Sequence, residues 1–454
     1  MRPPAAFAAA IAAPFSGAFS GAFAALFAAL ILAAPAAAQV TAIQAARVLA
    51  EPGRAPLAAT TILVENGRIT ALLPGKQAPA GATIIDLGNQ FVLPGLIDAH
   101  VHLDSDAGGD AATIETLTQN PGKAALRAQW NGMKTLNAGF TTVRNLGDTS
   151  GATLALRDAI AAGWVKGPRI IDAGRPISVT SGHMDLTLSL SEQLHSAIEQ
   201  DNICSGADAC REAVRKQVRR GVDVIKIATT GGVNSRIGAG IGQQMLPDEA
   251  KAIVETAKLH GKKVAVHAHG NDGVILALEQ GVASIEHGTM LDDNSIALFR
   301  KSGAYYVPTL STINGYKERL AANPDAYPPD VLAKVRWRID ITGKSLQKAV
   351  PAGVKIAFGT DAGVSKHGRN ADEFELMVQN GMTPATAIIA ATTSAADLLG
   401  VKDIGALRPG YHADIIAVPT SPLEDVRALK SVSFVMKGGE VIRSEAIPAE
   451  LVGP

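Results

Sequence analysis

Eight short runs of apolar and β-branched residues recur between residues 91 and 361, each followed by a loop and most then by a stretch of helical periodicity. They are Phe91-Val92-Leu93 running to Ile97, Thr141-Thr142-Val143, Arg169-Ile170-Ile171, Val222 to Ile227, Lys263 to Val266, Ala283-Ser284-Ile285, Tyr305-Tyr306-Val307 and Lys355 to Phe358. Strands alternating with helices predict a parallel sheet, and eight such units predict an α/β fold of the (β/α)8 TIM-barrel type. The helical stretches carry the expected punctuation. Pro247-Asp248-Glu249 opens one that stops at Gly261, and residues 209 to 220 form another whose basic side reads as a solvated face.

The flanks have a shorter period. Residues 40 to 90 read as short strands around a hairpin signal, Glu65-Asn66-Gly67-Arg68, and residues 410 to 444 read similarly around Ala413 to Val418 and Val432 to Ile442. Neither flank is long enough for a stable sheet of its own, so the two are expected to join in one small β-sandwich. The expected organisation is a signal peptide over 1–38, an N-terminal sandwich segment over 39–93, the barrel over 94–407 and a C-terminal sandwich segment over 408–454.

The signal reading rests on Arg2 followed by an Ala/Phe/Leu-rich run that closes on Ala34-Pro35-Ala36-Ala37-Ala38. Pro14, Ser16, Gly17, Ser20 and Gly21 interrupt that run as a membrane anchor. A mature chain beginning near Gln39, exported to a periplasm or secreted, with no stable membrane insertion after cleavage, is therefore expected. Cys204 and Cys210 lie six positions apart in a polar loop and could close a disulfide in such a compartment. Lys plus Arg and Asp plus Glu both number 42, which leaves no electrostatic footprint for nucleic acid or an anionic membrane and favours a small-molecule partner.

Chemistry enters where polar residues end the apolar runs. His100 and His102 follow the first run, and their alternate spacing turns both imidazoles the same way. His267-Ala268-His269 ends the fifth, Glu286-His287-Gly288 the sixth, and Gly359-Thr360-Asp361 the eighth. Lys226 lies in the fourth, where burial would lower its pKa. A neutral amine there can add CO2 to give an anionic carbamate able to bridge two cations; an ammonium that snorkels to the strand mouth, or a Schiff-base lysine, are the competing readings.

At these residues the chain resembles the amidohydrolase superfamily, over essentially 40 to 445. The resemblance is carried by Pro94-Gly95-Leu96-Ile97-Asp98-Ala99-His100-Val101-His102, Val224-Ile225-Lys226-Ile227, Val266-His267-Ala268-His269-Gly270, Ile285-Glu286-His287-Gly288, Gly359-Thr360-Asp361 and the C-terminal Gly405-Ala406-Leu407, Pro409-Gly410 and Ala413-Asp414-Ile415. Within it the chain looks most like the exported imidazolonepropionase-like branch that includes Xaa-Pro and Xaa-Arg/Lys dipeptidases and the ochratoxin amidases. The resemblance implies two divalent cations, zinc the leading choice: one held by His100, His102 and Asp361, the other by His267 and His287, with N6-carboxylated Lys226 between them. Such a centre would hydrolyse the amide bond of N-acyl or N-aminoacyl amino acids, ochratoxin-type amides among them, with Asp361 as base turned acid. His269 and His183 are candidates for catalysis or for contacting the substrate, with packing behind the site as the bland alternative. Arg144 is a candidate substrate-carboxylate clamp, although a structural salt bridge is the commoner use of such an arginine. The competing readings are a mononuclear deaminase, cyclic-amide hydrolase or lactonase of the same superfamily, and a catalytically dead barrel, which should lack ligands. Relatives commonly assemble, so a homo-oligomer is expected.

Overall fold

The computed structural model describes residues 40–106, 110–188, 190–198, 200–236 and 240–445. The segment 1–38, read above as an export signal, lies outside the described residues. Among these residues no helix is long and apolar enough to cross a membrane.

The two flanks build two sheets. One runs in the order Arg68–Pro74, Thr60–Glu65, Thr41–Ala45, Thr83–Asp86, and the other in the order Glu440–Ser444, Phe434–Lys437, Ile415–Val418, Phe91–Pro94, Arg47–Val48. Inward-facing Ile43, Ile62 and Ile85 of the first share one buried cluster with Val92, Ile415 and Phe434 of the second. The predicted hairpin is present: Glu65 pairs with Arg68, and Asn66 and Gly67 both take positive φ, 50° and 77°, the twist that a two-residue hairpin loop requires.

The first apolar run divides where the sequence reading joined it. Phe91–Pro94 pairs antiparallel with Ile415–Val418, and only from Leu96 to Val101 does the chain run parallel to Phe140–Asn145. Gly95 is the joint. A Cβ there would lie 2.2 Å from the Thr141 hydroxyl, so only glycine lets the chain pass this close to the neighbouring strand.

Seven parallel strands follow one another. Leu96–Val101, Phe140–Asn145 and Arg169–Asp172 form one sheet, and Val224–Ala228, Lys263–Ala268, Ser284–His287 and Tyr305–Val307 form another, with helices in the connections. Single parallel bridges tie the two sheets together at both ends: Ile177 to Ile227 on one side, and Tyr306 to Ile356 and Val101 to Ala362 on the other. The eighth run, Lys355 to Phe358, contributes the Tyr306–Ile356 bridge and scattered backbone hydrogen bonds, such as that from Ala99 N to Phe358 O at 2.9 Å, rather than a regular strand. Outward residues such as Ile225, Ile227, Val264 and Val266 pack with the helices in the main core. Helix Pro247–Leu259 shows why its boundaries were legible: the Glu249 carboxylate accepts from the backbone N–H of Leu246 at 2.8 Å, and Gly261 just beyond its end takes φ 65°. Cys204 and Cys210 are joined by a disulfide across the start of helix Ala207–Arg219.

Candidate metal centre

Strand alternation turns one row of side chains from each parallel strand toward a common interior. On Val224–Ala228 that row includes Lys226, which sits mid-strand and not at the strand end, and is 1% exposed. Two ligand-type trios converge around it, His100 with His102 and Asp361, and His267 with His269 and His287, each with its ligand atoms within 4.8 Å of one another. They line a cavity of about 210 Å³ together with Lys226, His183, Tyr316 and Arg338.

In the first trio, Asp361 Oδ1 lies 3.4 Å from His100 Nε2 and 3.3 Å from His102 Nε2. The far nitrogens are committed elsewhere, which fixes each ring. His100 Nδ1 donates to Glu286 Oε2 at 3.0 Å, and His102 Nδ1 to the Gly147 carbonyl at 3.2 Å. Glu286 is itself gripped, its Oε1 accepting from Arg144 Nη2 at 2.8 Å and from Ser284 Oγ at 2.5 Å. Asp98 braces the other side: it accepts from the backbone N–H of His100 and Thr360, from the Thr360 hydroxyl at 2.6 Å and from Asn370 at 2.8 Å. Asp361 takes φ 58°, a conformation costly for a residue with a Cβ, and Gly359 before it packs so tightly that a Cβ would meet Val307 at 2.4 Å and His100 at 3.0 Å.

The second trio is held by neutral partners. Thr309 Oγ1 donates to the Pro308 carbonyl at 2.8 Å, so it accepts from His287 Nδ1 at 2.7 Å and leaves Nε2 with its lone pair. His269 Nδ1 meets Thr289 Oγ1 at 2.7 Å, while His267 donates Nε2–H to the Gly231 carbonyl at 3.3 Å and keeps its lone pair on Nδ1. His287, like Asp361, has positive φ, 72°. Thr309, which holds the His287 ring, takes φ 48° as well, and three strained residues at one site are the pattern expected where surrounding structure enforces a functional geometry.

Burial is the largest influence on each of these groups. It holds His267, His269 and His287 well below the usual histidine value, with repulsion from neighbouring cations adding to it, and takes His100 down to about 4. These rings are neutral nitrogen donors at pH 7. For Asp361 burial acts upward, but His100, His102 and Lys226 outweigh it and hold the carboxyl at about 2. Burial lowers Lys226 to about 8 against the pull of Glu286 and Asp361, and its Nζ has no hydrogen-bond partner. An orphaned buried amine between two neutral-nitrogen and carboxylate clusters is the chemistry of a cation site.

The Amidohydrolase family model matches residues 91–442. The chain belongs to the amidohydrolase family. Ochratoxinase of Aspergillus niger is 34% identical over 374 residues, covering 78% of this amidohydrolase and 76% of the relative. A solved Xaa-Pro dipeptidase with methionine bound in its active site superimposes with TM-score 0.83 at 36% identity, covering 89% of this chain and 99% of that one. A prolidase complexed with N-methylphosphonate-L-proline gives 0.80 at 30% identity, covering 90% and 100%. As an amidohydrolase, this chain is a hydrolase acting on amide bonds, and the family depends on metal.

The structure brings His100, His102, Lys226, His267, His287 and Asp361 of this amidohydrolase together, and differs from the sequence reading at three other residues. His269, set aside as a ligand on sequence, falls within the second trio. His183 stacks on His267 with ring centroids 4.0 Å apart, and Ser235 Oγ lies 3.0 Å from its Nδ1. Arg144 is not at the cavity. It is 2% exposed, and its donors go to the Ala99 carbonyl, Ser284 and Glu286, so the expected substrate clamp is instead the brace behind His100. His367 lies behind His102, with the carbonyls of His102 and Ser105 each 3.0 Å from its Nε2. Sequence reasoning missed Asp98, Glu286, Thr309 and Arg338, whose roles depend on partners far along the chain; the adjacency of Glu286 to His287 was the one local signal.

Proposed function

We propose that this amidohydrolase is a two-metal enzyme that releases a free amino acid from N-acyl or N-aminoacyl amino acids, ochratoxin-type amides included. The observation that carries the reading is the orphaned Lys226 Nζ between the two trios. The fit is good: carboxylation would turn that amine into a two-oxygen anion facing both clusters, with His100, His102 and Asp361 on one cation and His267 and His287 on the other. Two divalent cations, zinc first among the candidates, would polarise a carbonyl and lower the pKa of a coordinated water from about 15.7 toward about 7.

The chain's own residues do the rest. Asp361, ionised at neutral pH, takes the proton of the attacking water and delivers it to the leaving amine nitrogen. Neutral His269, itself in the second trio, and His183, stacked on His267, line the cavity and contact the substrate. The helices Thr312–Ala322 and Pro329–Ile341 lean over the cavity, contributing Thr312, Tyr316 and Arg338 to its lining. The methionine in a related dipeptidase and the proline phosphonate in a related prolidase support an amino-acid leaving group. In the same reading the two parallel sheets and their bridges are one closed TIM-type barrel over 94–407, the flanks 39–93 and 408–454 are one sandwich, and 1–38 directs export.

The test is metal content after expression with and without added bicarbonate, beside a turnover screen of N-acyl amino acids, Xaa-Pro dipeptides and ochratoxin A. Two ions per chain with bicarbonate-dependent occupancy, and release of a free amino acid, are expected. One ion per chain independent of bicarbonate sinks the bridge.

A further inference from the structure

Among the described residues, Arg338 is a large buried cation with no carboxylate in contact. It is 2% exposed, on helix Pro329–Ile341, and it lines the same cavity as the two trios. Among the described residues it forms no ion pair with a carboxylate. Its hydrogen bonds are to neutral oxygens: Nη1 to Thr342 Oγ1 at 2.8 Å, and Nη2 to the Pro308 and Thr309 carbonyls at 3.4 and 3.3 Å. A guanidinium has five N–H donors, so Nε and the second N–H of Nη1 are left without a protein acceptor. Burial lowers the Arg338 pKa against the pull of Tyr306, Tyr316, Glu373 and Asp361, but neither carboxylate pairs with it, and both Glu373 oxygens accept from the backbone N–H of Leu310 and Ser311.

Burying an unpaired cation costs several kcal/mol, and a fold keeps one where a ligand completes it. The other buried arginine beside the site, Arg144, shows the contrast, since Glu286 answers its charge directly. Arg338 also stands beside the second trio, since Thr309, whose carbonyl it touches, holds His287 through its hydroxyl. The cavity lining therefore holds a buried cation with no carboxylate in contact and an unpartnered acceptor as well, Asn234 Oδ1.

We infer that Arg338 is the receptor for the carboxylate of the amino acid released from the substrate, making the enzyme selective for amides whose leaving group carries a free carboxylate. This rests on the amide-hydrolase reading above and names what that reading leaves open. The small molecule that complements the lining has an anion for Arg338 and an N–H for Asn234, as an α-amino acid has.

The experiment uses the metal-loaded enzyme and two pairs of probes. Calorimetric binding of L-methionine against L-methioninol reads the carboxylate without turnover. Hydrolysis of N-acetyl-L-methionine against N-acetyl-L-methioninamide reads it in kcat/KM. The wild type should prefer the carboxylate in both pairs by at least about 30-fold, the size expected of a buried charge pair. Arg338→Met should bring both ratios near one, and Arg338→Lys, which keeps the charge and guards against misfolding of the first variant, should keep part of them. A wild type indifferent to the carboxylate overturns the inference. So does a folded Arg338→Met with both ratios intact, which would put the carboxylate on the metals. Selective binding of methionine without hydrolysis of either amide would uphold Arg338 as receptor and sink the proposed reaction.

Discussion

The two trios share histidine pairs and are opposite in construction. His100, His102 and Asp361 are set in a charged frame: Glu286 and Arg144 behind one ring, Asp98 behind the strand and the Asp361 turn, and a carboxylate among the ligand atoms themselves. His267, His269 and His287 are three neutral rings oriented by threonine hydroxyls and one backbone carbonyl, beneath helices that follow the seventh strand, with Trp337 edge-on to His269. Outer hydrogen bonds fix ring orientation and tautomer in both, but only the first trio offers negative charge. On the two-metal proposal the difference implies a division of labour: the charged frame would hold its cation tightly, the neutral one would hold a more exchangeable cation facing the substrate, and Lys226 would be the group common to both.

That division breaks most completely at the common group. Lys226→Ala should release both cations and lower turnover by more than the about 10²- to 10⁴-fold that one acid–base residue supplies. Metal analysis decides it, and retention of two ions per chain would show that the trios need no bridge. Asp361→Asn comes next, with a loss within that same range and the second cation retained; substantial turnover with both ions bound would remove Asp361 as the proton carrier. Sharpening the comparison takes a matched pair. Glu286→Gln should weaken the first cation by about 10- to 100-fold, and it should cost about 3–5 kcal/mol in urea unfolding because Arg144 loses its counterion. Thr309→Val should weaken only the second cation, toward the low end of that range, at about 1 kcal/mol of stability. Chelator titration with two resolved steps separates them. If both variants loosen the same ion, the two frames are not independent.

How much of this could be read from the chain depended on whether a residue's oddity was local. A lysine in Val224-Ile225-Lys226-Ile227, or paired histidines closing an apolar run, is anomalous against its immediate neighbours, and those six residues do meet in space. The strand–helix alternation and the Asn66-Gly67 hairpin were legible for the same reason. Arg144 was misjudged because its partner Glu286 lies 142 positions away, and no spacing rule reaches that far. Thr309 and Asp98 are ordinary residues made important by contacts across strands. The break at Gly95 falls on the Pro94-Gly95 interruption of the apolar run, and the closeness of Thr141 shows why the residue there has to be glycine. Positive φ at His287 and Asp361 leaves no trace in composition at all.

The smallest effect concerns how the bridge forms. Burial brings Lys226 to about 8, so the neutral amine that reacts with CO2 is roughly one-tenth of the total at pH 7, half at pH 8 and most of it at pH 9. A lowered pKa means more neutral amine at a given pH, and the sign is therefore upward: reactivation of stripped enzyme by zinc, at fixed dissolved CO2, should quicken about fivefold from pH 7 to 8 and less than about twofold from 8 to 9. His100 is neutral far below this window and the second trio lies well below the usual histidine value, whereas Asp361 raises His102 against the effect of burial. An amine at its ordinary pKa would instead give about tenfold per pH unit with no plateau. A plateau near pH 8 ties the reaction to the buried site of Lys226, whereas a rate indifferent to CO2 leaves the two trios with nothing between them.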